Sequence, residues 1–378
     1  MAGHADQRED LFGLSVSRAA ESSTSLGAGP SRGQPISVVD IARGVAAGDR
    51  AMLGRAITLV ESSSTKHRAR AAELLRLVLA ETAARPPAIR VGVTGVPGVG
   101  KSTFIDRLGS DLTRAGRRVA VLAVDPSSTV TGGSILGDKT RMAQLSVDDR
   151  AFIRPSPSAG TLGGVASKTR ESMILCEAAG YDVVLVETVG VGQSETTVAE
   201  MTDFFLALML PGAGDELQGI KRGILELADL IAVNKADGDN VARAKRAAAE
   251  YRSAIRCMRS RDDGWEVTVL TCSATTGDGI VELWARVEGR VRALAETGSL
   301  TERRATQSLR WMRAMVEERV REMVWGDDAV SASLAAIEAE VSGGLLAPTV
   351  GAERMIDAIT NAWSARSSVS RPVPGQNS

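Results

Sequence analysis

The sequence predicts an α/β fold in which a doubly wound, mostly parallel sheet lies between N-terminal and C-terminal helical extensions. Residues 88 to about 290 alternate apolar runs with helical runs, which is the pattern of such a sheet. Residues 36–85 place apolar and charged positions at helical spacing, and Pro86 and Pro87 end that region. From Glu288 to Val324 the pattern is helical again.

These patterns divide the chain into five segments. We expect a disordered tail over 1–35, an N-terminal helical region over 36–87, the sheet domain over 88–290, a C-terminal helical dimerisation region over 291–364 and a disordered tail over 365–378. In the C-terminal region, one helical stripe carries apolar side chains that form a subunit interface or pack on their own domain. The stripe consists of Met312, Met315, Val316, Val320 and Met323.

The first strand of the sheet domain leads into a phosphate-binding loop. An apolar run, Ile89–Thr94, precedes a glycine-rich turn, and a helix-like run, Thr103–Arg114, follows it, in the strand–turn–helix context that the P-loop pattern requires. Backbone N–H groups and the helix N-terminus would cradle phosphates. Lys101 would reach the β- and γ-phosphates, and Ser102 would ligate Mg²⁺. The expected phosphate-binding residues are Gly95, Val96, Pro97, Gly98, Val99, Gly100, Lys101, Ser102 and Thr103.

A later strand ends in residues that suit guanine. After the run Ala228–Val233, the Asp237 carboxylate can accept two hydrogen bonds from the imino and amino groups of guanine, a donor pair that adenine lacks. We expect the Lys235 stem to cover the base and Asn234 to tie this loop to the phosphate loop. A further strand, Val267–Thr271, ends in a small-residue turn whose backbone N–H can reach the guanine carbonyl; alone, this turn would be an ordinary loop. It contributes Ser273, Ala274 and Thr275.

Two carboxylates follow apolar runs at positions that suit a metal ion. Asp125 follows Val119–Val124, where a carboxylate beside the phosphate loop would ligate Mg²⁺ or position water; the alternative is an Asx turn that opens the next loop. Glu187 follows the run Tyr181–Val186, at the place of the acidic residue that holds Mg²⁺ through water. The predicted metal ligands are Ser102, Asp125 and Glu187, and the predicted catalytic residues are Lys101, Asp125 and Glu187.

The residue that orients the attacking water does not stand at its usual place. Val191 occupies the position where small signalling GTPases carry a glutamine, and Gln193, two residues later, could serve only after the loop rearranges. Arg141 and Arg154 are the arginines that could act in cis. We therefore expect slow intrinsic turnover.

Several longer phrases accompany these motifs and are far more specific than the phosphate loop alone. They are Gly95–Thr103, Asp125–Ser128, Thr131–Met142, Arg154–Ser156, Gly160–Gly164, Glu187–Glu195, Pro211–Lys221 and Asn234–Asp237. Together they resemble the methylmalonyl-CoA mutase-associated GTPases of the MeaB/ArgK type, over about residues 36–365. Residues 1–35 lie outside the resemblance.

The resemblance implies a P-loop GTPase with GTP or GDP as ligand and Mg²⁺ as cofactor. It implies that the GTPase binds an adenosylcobalamin-dependent methylmalonyl-CoA mutase, gates cofactor delivery, and protects or reactivates the mutase. It also implies a homodimer built with C-terminal helices, and places Asp125 and Asp138 in a first switch region and Glu187 in a second. The partner-sensing residues that it implies are Asp215, Gln218 and Lys221, although their segment could be a plain glycine-rich connection.

Composition excludes several classes of protein. The 378 residues carry a formal net charge of −1, which gives no electrostatic footprint for nucleic acid. No window of about 18 uncharged apolar residues occurs, so we expect no membrane partner. The tail from Met1 lacks a signal-peptide pattern, and we expect a cytoplasmic protein.

Cysteine and histidine usage limits metal and cofactor chemistry. Cys176, Cys257 and Cys272 lie far apart, so neither a disulfide framework nor a zinc site is readable. His4 and His67 lie remote from every motif. We therefore expect no cobalamin bound through a histidine ligand.

Two other functions stay open. One is a nucleotide-dependent kinase or ATPase linked to amino-acid transport, and the other is a signalling switch without a mutase partner. Guanine preference separates the mutase chaperone from the first, and co-purification of a mutase separates it from the second.

Overall fold

The computed structural model describes residues 36–62, 64–124, 142–155, 162–188, 194–211, 222–258, 264–326 and 328–369. Within these ranges seven strands form one sheet in the order β3-β2-β4-β1-β5-β6-β7, and every neighbouring pair is parallel. The strands are β1 Ile89–Gly95, β2 Val119–Val124, β3 Ala151–Pro155, β4 Val183–Thr188, β5 Phe204–Met209, β6 Leu230–Val233 and β7 Thr268–Thr271. The predicted doubly wound parallel sheet is confirmed.

Helices precede, flank and follow the sheet. The N-terminal helices are α1 Val38–Ala46, α2 Arg50–Glu61 and α3 Thr65–Thr82. The helices among the strands are α4 Lys101–Arg114, α5 Leu162–Ala178, α6 Ser194–Ala199, α7 Arg222–Leu227 and α8 Val241–Arg256. The C-terminal helices are α9 Ile280–Glu296, α10 Ser299–Trp325, α11 Asp328–Ser342 and α12 Pro348–Val369. None of the helices in the described part of the chain is long and apolar enough to cross a membrane.

Strand β1 lies at the centre of the sheet and positions the phosphate loop. It pairs with β4 through Val93 opposite Glu187, and with β5 through Gly95 opposite Leu208. Every residue of β5 is buried, as are most of β1 and β4. Because the strands are parallel, the carboxyl ends of β1, β4, β6 and β7 meet at one edge of the sheet, where ligands of such folds bind.

The helical pattern from Glu288 to Val324 is interrupted once. Helix α9 runs through residue 290, the expected end of the sheet domain, and stops at Glu296. Gly298 adopts a left-handed conformation with φ 77°, and α10 begins at the next residue. The helical region expected from Glu288 to Val324 therefore consists of two helices, which separate at Gly298 because glycine adopts this conformation without the penalty that a Cβ imposes.

Arginine side chains fix the N-terminal helical region to β3 and to α5. Arg154, at the end of β3, donates from Nε to Glu61 Oε1 of α2 at 3.3 Å. Arg85, after α3, donates to the carbonyl oxygen of Ala178 at the end of α5, at 2.7 Å. Arginines near the carbonyl ends of helices complement the helix dipole and satisfy backbone acceptors.

Candidate nucleotide-binding site

The phosphate loop joins the end of β1 to the start of α4. Gly95 and Gly100 have φ values of 153° and 93°. A Cβ at Gly95 would lie 2.5 Å from the carbonyl oxygen of Leu208, and one at Gly100 would lie 3.0 Å from Asn234 Nδ2. These two positions therefore need glycine, both for backbone conformation and for the close approach of neighbouring strands. Gly98 has open space around it, so its backbone can be approached by a ligand.

Lys101 begins α4 and is only 8% exposed. Its Nζ donates to the Gly95 carbonyl oxygen at 2.7 Å and to that of Val96 at 3.4 Å. Burial lowers the pKa of Lys101, and the negative charges of Glu187 and Glu195 oppose this effect. The loop thus holds a cation against its own backbone, in the position where a phosphate-binding lysine is required.

Ser102 and Glu187, two of the three predicted metal ligands, lie side by side. Ser102 Oγ donates to Glu187 Oε1 at 3.1 Å. The strands beneath them are joined by a buried bond from Thr188 Oγ1 to Thr94 Oγ1 at 3.0 Å. Hydroxyl and carboxylate oxygens are the ligands that Mg²⁺ prefers, so this pair fits the ion. In the described ranges no group of three or more histidine, cysteine or acidic side chains forms a metal cluster of its own.

Asn234 connects the base loop to the phosphate loop, as its position in the sequence suggested. Its side chain is 1% exposed, and Nδ2 donates to the Val99 carbonyl oxygen at 2.9 Å. Its Oδ1 accepts from the Ala274 backbone N–H at 3.1 Å and faces Cys272 Sγ at 3.7 Å. A single buried amide therefore joins the loops that follow β1, β6 and β7.

Asp237 and Ser273 form the other half of the base loop. The Ser273 hydroxyl donates to the Asp237 carboxylate, which fixes the direction of that carboxylate. Lys235 Nζ donates to the Gly98 carbonyl oxygen at 2.8 Å, so its stem spans the gap between the two loops. Thr275 is exposed in the turn after Ser273. The arrangement can present the fixed Asp237 carboxylate to the imino and amino donors of a guanine base.

Several predicted site residues lie outside the described residues. They are Asp125, Asp138, Arg141, Val191, Gln193, Asp215, Gln218 and Lys221. Arg154 is described, and its side chain pairs with Glu61 of α2 and also contacts Thr58 at 3.4 Å. Because α2 already engages this guanidinium, Arg154 is a poor candidate for an arginine that acts on the nucleotide.

Sequence reasoning gave no role to Glu195, and it predicted Cys272, near the base loop, to be a small structural residue. Glu195 is a buried carboxylate in the first turn of α6, and its charge acts on Lys101. Cys272 is buried beside Asn234, and burial raises the pKa of its thiol to about 12. The thiol therefore stays protonated and serves as a small packing group with a weak donor. The role of Glu195 is not visible from spacing, because it depends on which strands are neighbours.

Comparison with known proteins shows a family match over most of the chain. Residues 53–329 match the family described as methylmalonyl Co-A mutase-associated GTPase MeaB. The chain is 47% identical to the mitochondrial methylmalonic aciduria type A homolog of Mus musculus, with 83% of this chain and 78% of that protein covered. It is also 47% identical to the GTPase ArgK of Escherichia coli K12, with 82% and 93% covered.

A solved structure is similar over most of the chain. The protein described as LAO/AO transport system kinase is 40% identical, with a TM-score of 0.68. The match covers 85% of this chain and 97% of that one.

Proposed function

The chain belongs to the family of methylmalonyl-CoA mutase-associated GTPases, and from this membership we propose that its GTPase activity serves an adenosylcobalamin-dependent mutase. In this proposal the protein is a chaperone that gates cofactor loading and protects or reactivates methylmalonyl-CoA mutase. The observation that carries the proposal is the family match over residues 53–329, which spans both the nucleotide site and α10. The name of the murine relative, which refers to methylmalonic aciduria, supports the same partner.

Guanine recognition in this proposal depends on Asp237, whose carboxylate is held by Ser273. A fixed carboxylate accepts the imino and amino protons of guanine without the entropy cost of ordering its own side chain. Asn234 keeps this loop beside the phosphate loop through Val99. The base loop and the phosphate loop would therefore bind the two ends of the nucleotide at a fixed separation.

Ser102 and Glu187 would hold Mg²⁺ together with the nucleotide phosphates, and Asp125 is the third proposed ligand. The bound ion supplies charge neutralisation at the β- and γ-phosphate oxygens. Lys101 would leave the Gly95 carbonyl oxygen and donate to phosphate oxygens instead. Burial lowers the pKa of Lys101, and the negative charges of Glu187 and Glu195 oppose that shift.

Cobalamin is proposed to stay on the mutase. His67 lies on α3 with Nδ1 2.8 Å from Ser62 Oγ, away from the nucleotide site. We propose that the GTPase acts on cofactor loading through contact with the mutase rather than through a histidine ligand of its own. Asp215, Gln218 and Lys221 are the proposed contact-sensing residues.

The proposal is tested by single-turnover GTP hydrolysis with and without purified methylmalonyl-CoA mutase. We expect the mutase to accelerate hydrolysis by the wild-type chain and to have a much smaller effect on a Gln218→Ala, Lys221→Ala double variant. A Lys245→Ala, Arg246→Ala variant is the matched control, because both side chains are exposed on α8. Equal acceleration of all three proteins would remove the role of residues 211–221.

The same assay distinguishes the proposed mutase chaperone from the alternative function, a kinase or ATPase linked to amino-acid transport. Such a kinase or ATPase would hydrolyse ATP at least as well as GTP; the similar solved structure is described as a transport system kinase. We expect no ATP turnover above the level of a Lys101→Ala control. No acceleration of GTP turnover by the mutase in any variant would contradict the mutase proposal itself.

A further inference from the structure

The start of α10 contacts the segment that follows α6. Gln307 Nε2 donates to the Thr202 carbonyl oxygen at 3.0 Å. One turn earlier, Arg304 Nε donates to Asp203 Oδ1 at 2.8 Å. Thr202 and Asp203 lie between α6 and β5, so these two side chains hold the end of the α6 segment.

The Asp203 carboxylate is fully buried and has further partners. It accepts the Arg90 backbone N–H at 2.9 Å, and the Asp203 N–H donates to the Arg90 carbonyl oxygen at 2.9 Å. Arg304 Nη2 also reaches the Ala88 carbonyl oxygen at 2.6 Å. Arg304 therefore fixes the starts of β1 and β5 relative to each other, and β1 ends in the phosphate loop.

The same segment packs closely on β1. A Cβ at Gly92 would lie 2.8 Å from Val198 Cγ1 and 3.0 Å from Thr202 Oγ1. Glu195, in the first turn of α6, is buried with its charge acting on Lys101. Residues 194–203 thus lie on the central strand on one side, while α10 holds their C-terminal end.

A third contact joins α10 to α5. The Arg170 guanidinium of α5 lies 5.8 Å from the centre of the Trp311 ring of α10. Burial lowers the pKa of Arg170, and the charge of Glu200, just after α6, raises it. The Arg170 guanidinium therefore interacts electrostatically with Glu200 at the end of α6 and also lies near the Trp311 ring of α10.

We propose that Arg304 and Gln307 are positioning residues for GTP hydrolysis, which act by fixing the segment 194–203 and through it Glu195 and Lys101. In the sequence, residues 189–193 connect Glu187 and Thr188, at the end of β4, to α6. The position of α6 therefore sets one end of this connection, and the proposed metal ligand Glu187 lies at the other end. Hydrolysis depends on group positions to within fractions of an ångström, whereas binding of GDP depends mainly on the phosphate and base loops. The inference requires only that the chain is a GTPase and is independent of the mutase.

The test is single-turnover hydrolysis of bound GTP by the full chain without mutase, together with GDP affinity from calorimetry. Gln307→Leu keeps the side-chain size and removes the donor to Thr202. We expect its hydrolysis rate to fall roughly three- to tenfold, with GDP affinity within about twofold of wild type. Gln307→Lys keeps an N–H donor and should recover most of the rate.

Arg310→Gln is the matched control, because Arg310 is exposed on the same helix and this change removes one charge. It should hydrolyse GTP at the wild-type rate. Arg304→Gln should lose more activity than Gln307→Leu; where circular dichroism shows that Arg304→Gln does not fold, the Gln307 pair decides alone. A wild-type rate in folded Gln307→Leu, an equal loss in Gln307→Lys, or a parallel loss of GDP affinity would each overturn the proposal.

Discussion

Lys235 is the one non-glycine residue with a left-handed backbone conformation in the part of the chain that the structure describes, with φ 59°. That conformation costs about 1–2 kcal/mol in an L-amino acid. The bond from Nζ to the Gly98 carbonyl oxygen and the bond from the Ala236 N–H to the Cys272 carbonyl oxygen, at 3.0 Å, offset part of this cost. Strain held in place by neighbouring contacts is typical of binding sites, and here it lies beside the proposed guanine contact.

Asp237→Asn tests the guanine contact. The variant keeps the size of the side chain and loses the negative charge, so GTP and GDP should bind more weakly by about 1–3 kcal/mol. Isothermal titration calorimetry measures this directly. Asp239→Asn is the control, since Asp239 is exposed two residues further on. Equal affinities of wild type for ATP and GTP would contradict the base assignment.

Glu171 on α5 gives a prediction for the pH dependence of stability. Burial raises the pKa of this carboxyl to about 7 from an ordinary value of 4.5, with the charge of Lys168 opposing the shift. The folded protein therefore binds the proton more tightly than the unfolded chain does. The contribution of Glu171 to the free energy of unfolding is full below pH 4.5 and is lost as the pH rises through 7.

Glu171→Gln should remove that dependence. Between pH 5 and pH 8, we expect the wild type to lose on the order of 1 kcal/mol more stability than the variant. Urea unfolding at both pH values measures the difference, with Glu73→Gln on the exposed face of α3 as the control. Parallel losses in wild type and Glu171→Gln would show that this carboxyl does not titrate in the range.

At the scale of elements, the sequence predicted strands best where an apolar run ends in a motif. The runs before Gly95, Asp125, Glu187, Asn234 and Cys272 are strands in the structure, with ends that differ by at most two residues. Strand β5 was not identified, because Phe204–Met209 is apolar throughout and has no period that separates a strand from a buried helix. Strand β3 contains Pro155, which argues against a central strand, and it lies at the edge of the sheet, where proline is tolerated.

In the candidate site, too, some features were predicted from the sequence and others were not. Residues adjacent in sequence to a motif were predicted, and so was the link from Asn234 to the phosphate loop, whereas the other contacts between distant segments were not. The bond between Ser273 and Asp237, and the action of Glu195 on Lys101, depend on strand order. The order β4-β1-β5 cannot be derived from local patterns, because it is set by how the crossover helices pack.

Helix α10 carries the apolar stripe that we propose as the dimer interface. Six of its large apolar side chains are about 40–57% exposed, namely Leu309, Met312, Met315, Val316, Val320 and Met323. Such a continuous exposed patch is uncommon on a monomer and is typical of an interaction surface.

A Met312→Glu, Val316→Glu variant should therefore be a monomer that still binds GDP, because two charges in an apolar interface are costly to bury. Light scattering over a range of protein concentrations measures the change. Arg310→Glu on the same helix should leave the oligomeric state unchanged. A dimer that persists in the double variant would place the interface elsewhere.

At the scale of the whole molecule, the nucleotide site is assembled from loops that follow four strands, and its water-orienting group is not at the usual place. We therefore predict slow intrinsic turnover, on the order of 10⁻⁴–10⁻² s⁻¹, in the absence of a partner. Single-turnover hydrolysis of GTP measures it, and Lys101→Ala should abolish it. Turnover above 1 s⁻¹ in the isolated protein, the scale of an assisted GTPase, would show that the chain already holds a complete site.

Arg304 and Gln307 lie on the same helix as the apolar stripe, so in the proposed dimer self-association and GTP binding would be linked equilibria. By reciprocity, the factor by which dimerisation changes the affinity of a subunit for GTP is also the factor by which each bound GTP changes the stability of the dimer. Protein concentration is then itself an effector. GTP affinities measured well above and well below the dimer dissociation constant would give this coupling free energy without any mutation.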